Sequence, residues 1–260
     1  MSDCHLCARA GAVAGITFTF TNRCGGTVWP GVLANSGSSP LQTTGFALGA
    51  GEARSLAAPA GWSGRFWART GCAFDASGKG SCATGDCGSG EVECRGRGAA
   101  PPATLAEFTL GGSGGKDYYD VSLVDGYNLP VSVSAVLGTG AADPSRCAIA
   151  GCARDVNAAC PPELQVTAGG GKAAAVVACK SACLAFGLDA FCCRGAYATP
   201  AACRGSVYSR LFKDACPAYY SYAYDTTAAT ASGCRAREYV ITFCPGKWGG
   251  ELDGAAAAQI

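Results

Sequence analysis

Eighteen of the 260 residues are cysteine, spread from Cys4 to Cys244. No other feature limits the fold so strongly. The number is even, and the chain has a single histidine, His5. Zinc sites usually recruit His beside Cys, or gather thiolates in tight pairs of pairs. Dispersed cysteines at this density instead imply disulfides, an oxidising compartment, and no metal or other cofactor. The expected location is outside the cell (the apoplast or another extracellular space) or a vacuole.

A secreted chain begins with a signal peptide, yet "MSDCHLCARAGAVAG" carries Asp3, a lone Arg9 and no apolar run of the needed length. The reading is that the true leader is missing. Residues 1–14 are then a leader remnant or a misassigned exon, and the mature protein begins near Gly15 or Ile16. Cys4 and Cys7 form a C-x-x-C pair beside His5. With no second ligand pair and no βαβ context, they are read as part of that extension. No stretch is long and apolar enough to span a membrane. There is no N-glycosylation sequon. A formal net charge of +1 argues against a nucleic-acid partner recruited by bulk charge.

"GITFTFTNRC" alternates Ile16, Phe18 and Phe20 with Thr17, Thr19 and Thr21, the pattern of a half-buried strand. "GTVWPGVL" follows with an edge-type Pro30, then "ARSLAAP" and "GRFWART". Strands resume at "TLAEFTL", "DYYDVSLV" and "LPVSVSAVL", and again at "YYSYAY" and "REYVITFC". Short strands at this spacing predict a mainly β protein, an antiparallel β-sandwich. Two disulfide-rich excursions interrupt it. One is the turn-rich stretch with Cys72, Cys82, Cys87 and Cys94; the other holds nine cysteines between Cys147 and Cys216. Within the second, "AAAVVACKSACLAF" is the best helical segment, with Val176, Cys179, Cys183 and Phe186 on one face. "VYSRLFKDACP" is a second short helix, ended by Pro217. The rest of that lobe reads as loop. The expected organisation is a core sandwich over 15–69, 103–153 and 217–246, a small hairpin lobe over 70–102, a helical disulfide-rich lobe over 154–216, and a frayed tail over 247–260.

The ordered motifs "GKGSCATGDCGSGEVEC" (78–94), "PPATLAEF", "KDYYDVSLVDGYNLP", "CKSAC", "FCC", "YSRLFKDACP", "YSYAYD" and "ITFCP" resemble the thaumatin-like family, which includes the plant pathogenesis-related group 5 proteins and osmotins. The resemblance covers residues 15–246. It implies a thaumatin-like fold with eight disulfides: Cys24–Cys244, Cys72–Cys82, Cys87–Cys94, Cys147–Cys234, Cys152–Cys216, Cys160–Cys179, Cys183–Cys192 and Cys193–Cys203. Spacing alone leaves the pairing open. The resemblance also implies an acidic cleft. Its matching positions here are Arg65, Glu107, Asp120, Asp125 and Asp225. All five residue types are retained, as in the defence members rather than in thaumatin itself.

The function so implied is a secreted, monomeric, antifungal defence protein whose cleft binds β-1,3-glucan or another cell-wall polysaccharide. Members range from weak endo-β-1,3-glucan hydrolysis through glucan binding to no activity. The alternative is a non-enzymatic, osmotin-like protein that permeabilises fungal membranes or binds a receptor; an inert storage or stress protein is a third reading. Hydrolysis needs one carboxylic acid and one carboxylate across the scissile bond. Glu107, in the apolar context Leu105-Ala106-Glu107-Phe108, is the candidate acid. Asp120 or Asp125 is the candidate nucleophile or base, Arg65 an orienting charge, and Asp225 a further wall. Against this stands the bland reading of an acidic groove that only binds, or of plain charge balance.

Tyr118, Tyr119, Tyr127, Tyr219, Tyr220, Tyr222 and Tyr224 flank these acids and suit either sugar stacking or, for about half of them, core packing. Asp86 is expected to bond local backbone, and Asp117 to be a solvated strand-edge charge. Asp120 and Asp125 have odd spacing, which on one flat strand aims them oppositely. Asp125-Gly126 is a turn pair. The strand is therefore predicted to end near Val124, with the bend returning Asp125 towards the Asp120 face.

Overall fold

Threonine alternating with phenylalanine gives β1 (Ile16–Asn22) one wet and one dry face. Its dry face carries Phe18 and Phe20, both fully buried. The strand pairs antiparallel with β3 (Ala53–Ala58) and parallel with β13 (Ala236–Phe243). A parallel neighbour is a departure from an all-antiparallel sandwich. It is accessible because the two strands lie at opposite ends of the domain and need no hairpin between them. Cys24–Cys244 ties the ends of the pair together. Strands β8 (Val131–Leu137) and β9 (Ala148–Ile149) complete this five-stranded sheet.

This computed structural model describes residues 15–137, 147–169, 174–229 and 231–245. The expected extension with Cys4 and Cys7, and the tail over 247–260, lie outside the described residues.

The second sheet runs in the order β12 (Ala231–Cys234), β7 (Asp117–Ser122), β6 (Leu105–Thr109), β4 (Ser63–Phe74) and β2 (Trp29–Ala34). Pro30 sits on β2 at the edge, where its missing N–H costs no ladder bond. The far end of β4 turns into a hairpin with β5 (Gly80–Thr84). Between the sheets an aromatic core forms: the Phe18 ring lies 4.7 Å from Phe66 and 4.9 Å from Phe108, and Phe20 lies 5.0 Å from Phe66.

The hairpin lobe covers part of the second sheet's outer face. Trp67, Leu105 and Leu33 point outward and pack under Cys87, Cys94, Ala99 and Ala103. Trp67 donates through Nε1 to the Gly85 carbonyl at 2.8 Å. Arg69 is fully buried and donates to the carbonyls of Trp29 (3.0 Å) and Val92 (2.7 Å), stitching lobe to sheet. Gly31 lies beneath the indole, where a Cβ would meet Trp67 at 2.3 Å.

In the second excursion the predicted helix over 173–186 is half strand. β11 (Ala175–Cys179) pairs with β10 (Gln165–Ala168), and helix α1 (Ala182–Phe186) begins only after it. Val176 and Val177 favour extended backbone. The Cys179 N–H and carbonyl also exchange 2.8 Å bonds with Tyr127, which holds the segment extended. Ser181 then caps α1 through its hydroxyl, which accepts from the Leu184 N–H at 3.2 Å. Helix α2 (Asp189–Cys192) is a single turn. Helix α3 (Val207–Ala215) forms where expected, opened by a capping box between Ser206 and Ser209. "YYSYAY" is not a strand: Tyr220 makes one bridge to Ser122 and the chain then curls into turns.

Among the described residues eight disulfides are present: Cys24–Cys244, Cys72–Cys82, Cys87–Cys94, Cys147–Cys234, Cys152–Cys216, Cys160–Cys179, Cys183–Cys192 and Cys193–Cys203. Four of them lie wholly within, or anchor, the segment 152–216, where β10, β11 and the short helices offer little apolar core.

Candidate functional site: a charged row on the outer sheet face

Antiparallel register brings three predicted residues into one line. Arg65 on β4 faces Glu107 on β6, and Glu107 faces Asp120 on β7. Directly opposed residues share a face of the sheet. Their chain neighbours Phe66, Phe108, Tyr119 and Val121 are buried in the inter-sheet core, so the charged line is on the outer face.

That face has a gradient of cover. Under the hairpin lobe, Trp67, Leu105 and Ser122 are buried. One step along, Arg65, Glu107 and Asp120 are half-buried. One step further, Ser63 and Tyr118 are half-buried and Thr109 is exposed. The charged line therefore occupies the rim of the lobe, partly stripped of water but open on one side.

Partial burial sets its electrostatics. Burial, and after it the neighbouring Glu107 charge, pushes the Asp120 carboxyl up to about 7. Glu107 is also raised, first by burial; the Arg65 guanidinium opposes the rise and the Asp125 charge adds to it. Arg65 Nε lies 3.6 Å from Glu107 Oε1 and is buried with no hydrogen-bond partner. Two carboxyls and one guanidinium thus share a small, partly dry space. Burial raises both carboxyls, and Glu107 is the one with a cation beside it.

Asp125 reaches this group by a turn. Strand β7 ends at Ser122, two residues before the predicted point. Leu123 to Gly126 close a turn through a 2.9 Å backbone bond, with Asp125 at its third position. Gly126 has φ +87° and packs so closely that a Cβ would meet the Cys179 carbonyl oxygen and Pro102 Cβ, each at 2.7 Å. The bend leaves the Asp125 charge near enough to be felt by Glu107.

Asp225 is engaged elsewhere. It is 4% exposed. Its Oδ1 accepts from Thr227 N–H (3.0 Å) and Oγ1 (2.7 Å), and its Oδ2 from Ser221 N–H (3.1 Å) and Oγ (2.8 Å). Lys213 Nζ completes the set at 2.8 Å from Oδ2. Burial works against ionisation here, but Lys213, Thr227 and Ser221 together outweigh it and hold the carboxyl at about 2. These bonds also explain why 219–224 curls rather than extends. Lys213 went unnoticed in the sequence, since nothing in its spacing points to Asp225.

Asp117 is the reverse of a solvated edge charge. β12 flanks β7 at that point, Cys234 opposite Asp117, and Asp117 is 3% exposed. It accepts from the Tyr239 hydroxyl at 2.6 Å and the Gly111 N–H at 2.8 Å. Asp86 accepts local N–H groups of Cys82 and Gly88, at 2.7 and 2.6 Å. Of the seven tyrosines, Tyr119, Tyr127 and Tyr219 are core; the other four are half-buried. Among the described residues no cluster of His, Cys, Asp or Glu is arranged to hold a metal ion. No helix among them is long and apolar enough to cross a membrane.

A stapled two-sheet sandwich with a charged row at the rim of a hairpin lobe defines the class, and the comparison with known families agrees with it. The Thaumatin family model matches residues 22–245, so the chain belongs to the thaumatin family. Thaumatin-like protein 1 of Arabidopsis thaliana is 54% identical over 237 residues, covering 89% of this chain and 86% of that protein. Pathogenesis-related protein 5 of the same plant is 54% identical over 234 residues, covering 90% and 92%. Among solved structures, a thaumatin-like xylanase inhibitor is 25% identical at a TM-score of 0.45, covering 88% of this chain and 99% of its own.

Proposed function

We propose that this chain is a secreted defence protein that binds β-1,3-glucan along the outer face of its second sheet and hydrolyses it slowly. The observation that carries this is the line Arg65–Glu107–Asp120, held in register at a half-buried rim. Cβ atoms of directly opposed strand residues lie about 4.5–5.5 Å apart. Two carboxyls side by side on one face are the kind of pair that glycoside hydrolysis uses. Burial raises both carboxyls, and Glu107 and Asp120 divide between them the roles of the acid that protonates the leaving oxygen and of the nucleophile or base, with Arg65 as the orienting charge beside Glu107. Asp125 adds negative charge beside the developing oxocarbenium ion, and Asp225 supports the fold rather than the ligand. Eight disulfides and the relatives named for pathogenesis support the extracellular, defensive setting.

The test is retention on insoluble β-1,3-glucan, together with the release of new reducing ends from a soluble one. Glu107→Gln and Asp120→Asn should each abolish release while leaving retention within a few-fold. Release unaffected by Glu107→Gln overturns the catalytic part, and no retention by the wild type overturns the whole reading.

A second reading, engagement of a fungal membrane or receptor, rests on a separate feature. The exposed large apolar side chains among the described residues are Leu184, Phe186, Leu188, Tyr197 and Val207, all on the helical lobe. Leakage from protoplasts that lack a glucan wall, lost on Leu188→Asp, is its signature.

A further inference from the structure

Two residues along each strand from the charged line lies a second line of different chemistry. Ser63 faces Thr109, and Thr109 faces Tyr118. Asn35 closes the line on the β2 side. Its backbone N–H donates to the Ser63 carbonyl at 2.9 Å and its side-chain amide to Ser63 Oγ at 2.7 Å. The hydroxyls of Ser63 and Thr109 are 3.3 Å apart. Two residues along a strand advance it about 7 Å, and strands sit about 4.8 Å apart, so the four positions form a band about 14 Å long beside the charged line.

The composition of the band is unusual for an open sheet face. Lys, Glu and Arg are the residues most often left in water, and none is present. The band offers two hydroxyls, a carboxamide and a phenol, groups that both donate and accept. Sugar hydroxyls do the same. Tyr118 is steadied by Gly112, where a Cβ would lie 3.0 Å from two ring carbons. Its hydroxyl donates to the Ser113 carbonyl at 3.5 Å, which leaves the phenol oxygen to accept from a ligand.

We propose that Asn35, Ser63, Thr109 and Tyr118 form a second sugar subsite, which takes uncharged units of the polysaccharide beyond the bond facing Glu107 and Asp120. This rests on the glucan reading and extends it. From the charged line the chain then runs in the strand direction onto the band, and binding strengthens with oligosaccharide length until the band is covered.

The test compares a β-1,3-linked disaccharide with a hexasaccharide by titration calorimetry. Thr109→Val keeps shape and strand propensity at an exposed position, and Ser63→Ala is the second variant. Each removes one or two hydrogen bonds, which predicts about 5–10-fold weaker hexasaccharide binding. Disaccharide affinity and the Asp120 titration should not change. Wild-type hexasaccharide affinity in both variants overturns the subsite. So does an equal loss for both lengths, because the band would then not be separate from the charged line. If the wild type binds neither sugar, the glucan reading itself falls and the subsite with it, an outcome distinct from the other two.

Discussion

Glu107 and Asp120 stand directly opposite each other across the β6–β7 ladder, two carboxyls on one face of one sheet. Like charges so placed are destabilising. The pair persists because one member, Asp120, stays protonated to about 7 and the other has Arg65 beside it.

The pair predicts an inverted pH dependence. Asp120 has a folded-state value near 7, above the unfolded value of about 3.9. Its stabilising contribution is complete below about pH 4 and is lost as pH rises towards 7. Urea midpoints should fall across that window, and Asp120→Asn should flatten the fall. Glu107→Gln removes the neighbouring charge and should lower the Asp120 midpoint, as read by carboxyl carbon shifts in NMR.

Asp225 predicts the opposite behaviour at lower pH. Its folded-state value of about 2 lies below the unfolded one, so its contribution is present above about pH 4 and lost as pH falls through 2. Lys213→Met breaks the buried pair and should cost about 3 kcal/mol. Asp225→Asn should remove the acid-sensitive limb. Chemical denaturation between pH 2 and pH 6 measures both.

Gly126 controls where Asp125 points. Gly126→Ala combines a left-handed backbone with two contacts at 2.7 Å, so it should destabilise by about 1–3 kcal/mol. The turn must open to relieve them. Glu107 then loses some repulsion from Asp125, and its titration midpoint should fall.

Tyr239→Phe tests the buried Asp117. The carboxylate loses a 2.6 Å bond and cannot recruit water freely in its place. A loss of about 1–3 kcal/mol is expected, seen as a lower thermal midpoint.

Strong, simple patterns were readable. Alternation marked β1, and "VYSRLFKDACP", closed by Pro217, marked α3. Segments held by remote partners were not. Residues 175–179 have the spacing of a helix, but bonds to Tyr127 and pairing with 165–168 make them a strand. Residues 219–224 look like a strand until Asp225 gathers Ser221 and Thr227 around its carboxylate. Asp117 was misread for the same reason: its burial depends on β12, a strand from the far end of the chain.

By itself the sequence determined the disulfide-stapled, mainly β architecture and the phase of each strand. A period of two places Glu107 and Asp120 opposite Phe108 and Tyr119, whatever else happens. It also put Asp125 on a turn, through Asp125-Gly126. Only the tertiary structure decided that Arg65, Glu107 and Asp120 share one line, that the hairpin lobe stops one step short of them, and that Asp225 is spent on Lys213. Phase is a local property of side-chain alternation. Register and cover are set by which strand lies beside which and by what packs on top, and those contacts join residues that no local pattern connects.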